Sequence, residues 1–308
     1  MQVKLGFLLF LLFSQCCCAD TVIEVDAAPE KGFYYPFLLK IPEETKTKYL
    51  IVETNNTGKV SDNFSVHYTN AKSAISGNAI GPWLSTQLKA PILIPVFPRS
   101  EQDWQTYTHA LDRDTLLIDT GKLKRIDLQL LAMIKEAKKL LLMHSVRVNE
   151  KVIMTGFSAS GTFANRFSLL HSDSIKLVVA GGFNGILMLP ISSLKEQKLN
   201  YPLGLNDFEA ITGGSFAHST WKALPQFLFM GANDTNDAAK YDDAYSESER
   251  QVIFSAMGSN MQPERWQLCQ EMYLKFNTNV VFKTYQGIGH GTNLQIHHDI
   301  LAFINNNI

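Results

Sequence analysis

The stretch "VIMTGFSASGTF", residues 152–163, decides the reading of this chain. Val152 to Thr155 form a short apolar and β-branched run, the signature of a buried strand. The residues from Ala159 onward, "ASGTFANRFSLLH", carry apolar groups at helical spacing. Between them lie small residues and two serines, Ser158 and Ser160. A strand that breaks at once into a helix makes a sharp turn, and such a turn can hold a serine oxygen clear of the sheet. The turn crowds the positions two before and two after that serine. For Ser158 those neighbours are Gly156 and Ser160; for Ser160 they are Ser158 and the β-branched Thr162. The smaller pair favours Ser158 as nucleophile. The N–H groups opening the helix at Ala159 would then face a developing oxyanion.

Working outward, strands and helices alternate along the chain. "TVIEVD", "PFLLKIP", "YLIVET", "PILIPVF", "KVIMT", "IKLVVAGG", "QFLFMG" and "NVVFKTY" read as strands. "NAIGPWLSTQL", "RIDLQLLAMIKEAKKLLLMH", "RQVIFSAMG", "PERWQLCQEMYLKF" and "NLQIHHDILAFINNN" read as helices. Continuous apolar strands alternating with helices predict an α/β class, with a mainly parallel sheet covered on both faces. In such sheets ligands bind beyond the carboxyl ends of the strands, so polar residues just after each strand are the candidates.

Two more strand ends carry them. "QFLFMGANDTND", residues 226–237, places Asp234 three residues after Gly231, with Asp237 as competitor. "NVVFKTYQGIGHGTN", residues 279–293, sets His290 between two glycines after the last strand. A carboxylate there could hold a histidine tautomer, and a histidine with small neighbours could reach a serine. The order Ser, Asp, His, each after a strand, differs from the orders of the chymotrypsin and subtilisin folds.

On "GFSASG", "GANDTND" and "GIGHGTN" the chain resembles the α/β-hydrolase superfamily, over nearly all of residues 20–308. It is most similar to exported serine esterases grouped with polyhydroxybutyrate depolymerases and feruloyl esterases. The resemblance implies a single α/β-hydrolase domain, with Ser158 as nucleophile, Asp234 as acid and His290 as base, and no cofactor. Ser160 stands where that family usually has a second glycine. An oxyanion donor is implied in the loop after the third strand, here "ETNNTG". The backbone N–H of Asn55 or Asn56, paired with that of Ala159, would supply it. The implied substrate is a small-molecule or oligomeric ester. A serine peptidase or aminopeptidase of the same fold, or a binding protein that kept the fold and lost the chemistry, are the competing readings.

Other features are weaker. In "DWQTYTHALDRDT", residues 103–115, Trp104 and Tyr107 could line a pocket, His109 reads as packed rather than catalytic, and Asp112, Arg113 and Asp114 suggest ion pairs. Residues 183–224 are too long for a simple connection and are expected to form a small cap insertion. His297 and His298, in the last helix, lack enough neighbouring ligands for a metal site.

The first residues, "MQVKLGFLLFLLFSQCCCAD", differ from the rest. Lys4, an apolar run from Leu5 to Phe13 and small residues up to Ala19 form a signal-peptide pattern covering residues 1–19. The run is too short for a stable membrane span. Export to a secreted or periplasmic location is expected, with a lipid anchor on Cys16, Cys17 or Cys18 as the variant form. Past Ala19 only Cys269 remains, so no internal disulfide is expected and the thiol reads as a packing group. Asn55, Asn63 and Asn233 head N-x-S/T triplets. A glycan at Asn55 or Asn233 would crowd the loops just named, so they are expected to be unmodified. The net charge of −1 offers no basic surface for nucleic acid.

Overall fold

The computed structural model describes residues 19–56, 58–183, 185–276 and 279–308. The expected leader, Ala19 apart, lies outside them, as do Cys16, Cys17 and Cys18. The strands formed by the described residues are β1 (Thr21–Val25), β2 (Phe37–Ile41), β3 (Ile51–Glu53), β4 (Ile92–Pro95), β5 (Val152–Phe157), β6 (Ile175–Gly181), β7 (Ser193–Leu194), β8 (Gln197–Lys198), β9 (Gln226–Gly231) and β10 (Val280–Tyr285). Eight of them make one sheet in the order β1-β2-β4-β3-β5-β6-β9-β10, and β7 and β8 form a separate hairpin. Within the large sheet, β1–β2 and β2–β4 pair antiparallel; from β4 through β3, β5, β6, β9 and β10 all strands run parallel.

The helices are α1 (Phe64–Ile75), α2 (Ile80–Leu88), α3 (Arg113–Leu117), α4 (Ile126–Met143), α5 (Ala159–Leu170), α6 (Phe208–Thr212), α7 (His218–Ala223), α8 (Glu247–Val252), α9 (Trp266–Phe276) and α10 (Leu294–Asn305). Short π-helical turns, Ile253–Met257 and Met261–Arg265, continue α8 and precede α9. Side chains alternate across β5: Val152 and Met154 join the core under α4, α5 and α9, while Ile153 joins the core under α1, α2 and α10. A strand buried on both faces cannot show polar alternation, which is why β5 reads as an unbroken apolar run. Ile126, Leu130, Met133, Ile134, Ala137 and Leu141 line the buried side of α4, the helical spacing seen in the sequence. Phe163 and Phe167 of α5 are fully buried and stack at 5.9 Å. Each stabilises the fold by roughly 2–3 kcal/mol through area removed from water.

Helix α1 is the longest of the helices that the sequence did not lead one to expect. Residues 55–63 read as a polar turn, and the α1 that follows has no strong apolar stripe: its buried residues are His67, Ala71 and Ile75. Asn63 starts it, its side chain accepting from the Ser65 N–H at 3.1 Å. The triplet that reads as a glycosylation signal is here a helix cap.

The 183–224 segment connects β6 to β9 and carries the β7–β8 hairpin, α6 and α7. It packs along the flank made by α5, α3 and α9. The Met188 N–H donates to the Asn165 side chain at 3.0 Å, Arg113 pairs with Asp207 at 2.6 Å, and the Tyr273 hydroxyl donates to the Met188 carbonyl at 2.8 Å.

Gly156 is the tightest point in this packing. A Cβ there would lie 2.2 Å from the Ser160 carbonyl oxygen, and backbone cannot yield that distance. Gly156→Ala is therefore expected to cost about 3 kcal/mol or more, the upper range for overpacking. Urea unfolding of the variant beside wild type checks this; equal midpoints would show that the turn relaxes freely.

Candidate active site

Ser158 is the residue between the end of β5 and the start of α5, with φ 62° and ψ −129°. This backbone region is all but closed to residues with a Cβ and persists only where the surroundings enforce it. They do so here through the sheet: the Ser158 N–H donates to the Gly181 carbonyl of β6 at 3.0 Å, and the Ser158 carbonyl accepts from Thr162 N–H at 2.9 Å. Ser160 is occupied within the turn. Its Oγ accepts from the Phe157 N–H at 3.0 Å and donates to the Phe157 carbonyl at 2.8 Å. Ser160 thus braces the turn, and Ser158 is the serine that faces outward.

The other two strand ends converge on it. Asp234 is buried and its Oδ2 lies 2.9 Å from Nδ1 of His290. Nε2 of the same ring lies 3.0 Å from Ser158 Oγ. A carboxylate against Nδ1 keeps the proton on that nitrogen, which leaves the Nε2 lone pair to accept from a hydroxyl. The Phe157 ring packs against His290 with centroids 4.9 Å apart and limits its swing. Gly231, at the end of β9, allows the histidine loop to pass: a Cβ there would lie 2.3 Å from the carbonyl oxygens of Ile288 and Gly289. Asp237, the competing carboxylate, is committed elsewhere. It pairs with buried Arg265 at 2.5 Å and caps the following turn through the Ala239 N–H.

Sequence reasoning missed Asn236. Its backbone N–H donates to Asp234 Oδ1 at 2.9 Å, and its side-chain Nδ2 lies 3.1 Å from His290 Nε2. The asparagine is one of many in the sequence, and only the fold brings it to a ring 54 residues away.

The remaining expected residues fall in several places. Asn55 is buried just beyond β3, its side chain paired with the Phe97 backbone: Nδ2 donates to the carbonyl at 2.8 Å and Oδ1 accepts from the N–H at 2.9 Å. This clamp fixes the loop whose N–H groups were expected to face the oxyanion. Asn56 follows it and is exposed. Trp104 is 42% exposed. Tyr107, expected as a pocket wall, is instead buried beneath Arg99, whose guanidinium stacks 3.5 Å above the ring. Arg99 in turn pairs with Asp243 at 3.0 Å, so the tyrosine supports an ion pair rather than an open surface. His109 is buried, with Nε2 2.9 Å from the Phe97 carbonyl; burial pushes its pKa down to about 3, and it stays neutral. Asp112 caps α3 through the Thr115 N–H. His297 packs on Trp83 at 4.6 Å. Cys269 is buried, and burial pushes its thiol up to about 12, which makes it unreactive. Among the described residues no three potential metal ligands come together. No helix among them is long and apolar enough to cross a membrane.

The chain has the α/β-hydrolase fold. The poly(aspartic acid) hydrolase-1 from Sphingomonas sp. KT-1 superposes with a TM-score of 0.59 at 14% identity, over 93% of this chain and 97% of that one. The poly(3-hydroxybutyrate) depolymerase from Bordetella parapertussis gives 0.51 at 15%, over 88% and 84%. A thermostable esterase gives 0.50 at 13%, over 93% and 62%. No protein-family profile matches the sequence, and no curated protein does.

Behind the turn lies a buried carboxyl that the sequence did not single out. Glu53 ends β3 and pairs in register with Thr155 of β5. It accepts from the Gly81 N–H at 2.7 Å and the Thr155 hydroxyl at 3.0 Å. Burial raises its pKa from 4.5 to about 7, against the pull of those two hydrogen bonds. The folded state thus holds a proton that the unfolded chain releases at lower pH. Its contribution to stability is complete below pH 4.5 and is lost as pH rises through about 7. Glu53→Gln, which keeps the shape without the charge, should flatten this decline. Thermal melting of both proteins between acidic and mildly alkaline pH checks it: the gap in favour of the variant should widen up to neutrality and then level off. A constant gap would show that Glu53 titrates normally.

Proposed function

We propose that the protein is a serine hydrolase that cleaves carboxylic esters through an acyl-enzyme, with Ser158 as nucleophile, His290 as general base and Asp234 as the acid. The observation that carries this reading is the unbroken path from Asp234 Oδ2 through both ring nitrogens of His290 to the Oγ of a serine held at positive φ. His290 takes the Ser158 proton as Oγ attacks the ester carbonyl. Asp234, buried and hydrogen-bonded, stabilises the imidazolium. The oxyanion is met by the Ala159 N–H at the start of α5 and by an N–H of Asn55 or Asn56 in the clamped loop. The leaving alcohol takes the proton from His290, and water then repeats the sequence on the acyl-enzyme.

The substrate is proposed to be a soluble or oligomeric ester, with the 183–224 segment and Trp104 shaping access to it. One neighbour in fold is named for hydrolysis of poly(aspartic acid), a polymer joined by amide bonds, so amide cleavage is the second reading. The leader pattern supports export of the protein.

Fluorophosphonate labelling with identification of the modified peptide tests the chemistry. The label should fall on Ser158, vanish in Ser158→Ala and persist in Ser160→Ala. Ser158→Ala or His290→Ala should lower kcat about 10⁴-fold or more, because the three groups act as a unit. Esters and amides of the same acyl group, compared by kcat/KM, separate the two readings. A folded protein that takes no label would favour a binding protein that has kept only the fold.

A further inference from the structure

We propose that Asn236 forms the leaving-group site, donating a hydrogen bond from Nδ2 to the departing oxygen beside the proton delivered by His290. This rests on the serine-hydrolase reading above. Its basis is a surplus of donors at one nitrogen. With the Nδ1 proton held by Asp234, Nε2 offers a single lone pair, yet both the Ser158 hydroxyl at 3.0 Å and the Asn236 amide at 3.1 Å lie within reach of it. In the resting site that lone pair is shared.

The surplus resolves when the proton moves. As Ser158 Oγ bonds to the acyl carbon, its proton passes to Nε2, which becomes a donor and can no longer accept from Asn236. The amide N–H that pointed at the ring is then directed toward whatever oxygen lies beside Nε2. In the next step the bond between the acyl carbon and the leaving oxygen breaks, its electron pair stays on that oxygen, and the Nε2 proton neutralises it. This oxygen must lie within hydrogen-bond distance of Nε2. A point about 3 Å from Nε2 can also lie about 3 Å from Asn236 Nδ2, since the two nitrogens are themselves only 3.1 Å apart. Two N–H groups therefore converge on one oxygen at the moment it carries charge. The Asn236 proton is shared and never transferred, so the products remain acyl-enzyme and alcohol.

Asn236 is also anchored well enough to act. Its own backbone N–H is tied to Asp234 Oδ1 at 2.9 Å, so the carboxamide is registered to the acid that orients His290. Every side-chain substitution short of proline keeps that backbone bond. The side chain is exposed, so truncating it empties no core.

The test is a pair of esters sharing a butyryl group, one with ethanol and one with para-nitrophenol as the leaving group. Ethoxide departs only with help from a donor; the nitrophenolate departs nearly unaided. Asn236→Ala should lower kcat/KM on the ethyl ester about tenfold or more, the effect of one hydrogen bond to a charged oxygen. On the nitrophenyl ester it should change by less than about twofold, within the reach of a neutral change. Asn236→Asp, which keeps the shape but accepts instead of donating, should lose at least as much on the ethyl ester. Equal losses on both esters would show that Asn236 only orders the loop, and no loss on either would show that it does not touch the reaction; both overturn the proposal. Fluorophosphonate labelling of Ser158 in wild type runs alongside. A labelled wild type with either of those outcomes refutes the role of Asn236 alone, whereas an unlabelled wild type refutes the hydrolase reading and this proposal with it.

Discussion

The backbone of Ser158 is the constraint on which the rest depends. A residue with a Cβ is held at φ 62°, ψ −129° because β5 and α5 meet there without a connecting loop. The cost of that conformation, of order 1–3 kcal/mol, falls on the whole domain. A small set of contacts around the turn bears it. Gly156 clears the Ser160 carbonyl, Ser160 bonds twice to Phe157, and the Ser158 N–H bonds to the neighbouring strand. Remove those and the serine would relax into an ordinary helix N-terminus, with its oxygen turned away from His290.

From that point the arrangement follows from sheet order. β5, β6, β9 and β10 are consecutive parallel neighbours, so their carboxyl ends lie along one edge. The acid and the histidine hang from two strands to one side of the serine strand, and the Asn55 loop from the strand on the other side. Each group is carried by its own short connection. The Glu53 carboxyl and the Thr155 hydroxyl tie β3, β5 and the start of α2 together just beneath this edge. The precision of the site comes from the sheet, and the loops add little freedom to it.

Much of this was legible in the sequence. Buried parallel strands declare themselves by continuous apolar runs, and a turn that must be small on both sides of a serine declares itself by Gly156 and Ser160. What escaped had a common physical cause. Helix α1 buries only His67, Ala71 and Ile75, too narrow a stripe to signal a period, and its Asn63 cap coincided with a glycosylation triplet. Tyr107 was an aromatic in a polar stretch, and nothing local reveals that Arg99 covers it. Asn236 and Glu53 act through partners distant in sequence or on neighbouring strands, so their roles exist only once strands are placed side by side. The sequence already favoured Asp234 over Asp237 by its place after the strand, but that Arg265, far along the chain, claims the second was not readable there.

The position of β10 has a consequence for how the molecule fails. This strand has a single neighbour, β9, and its outer side is partly open to solvent. The histidine is attached to it, whereas the serine belongs to the interior of the sheet. Fraying of an outer strand precedes global unfolding in most domains. The proton path is thus tied to one outer margin of the sheet, and the spacing between Ser158 and His290 serves as a gauge of that margin's integrity while the inner strands are still intact.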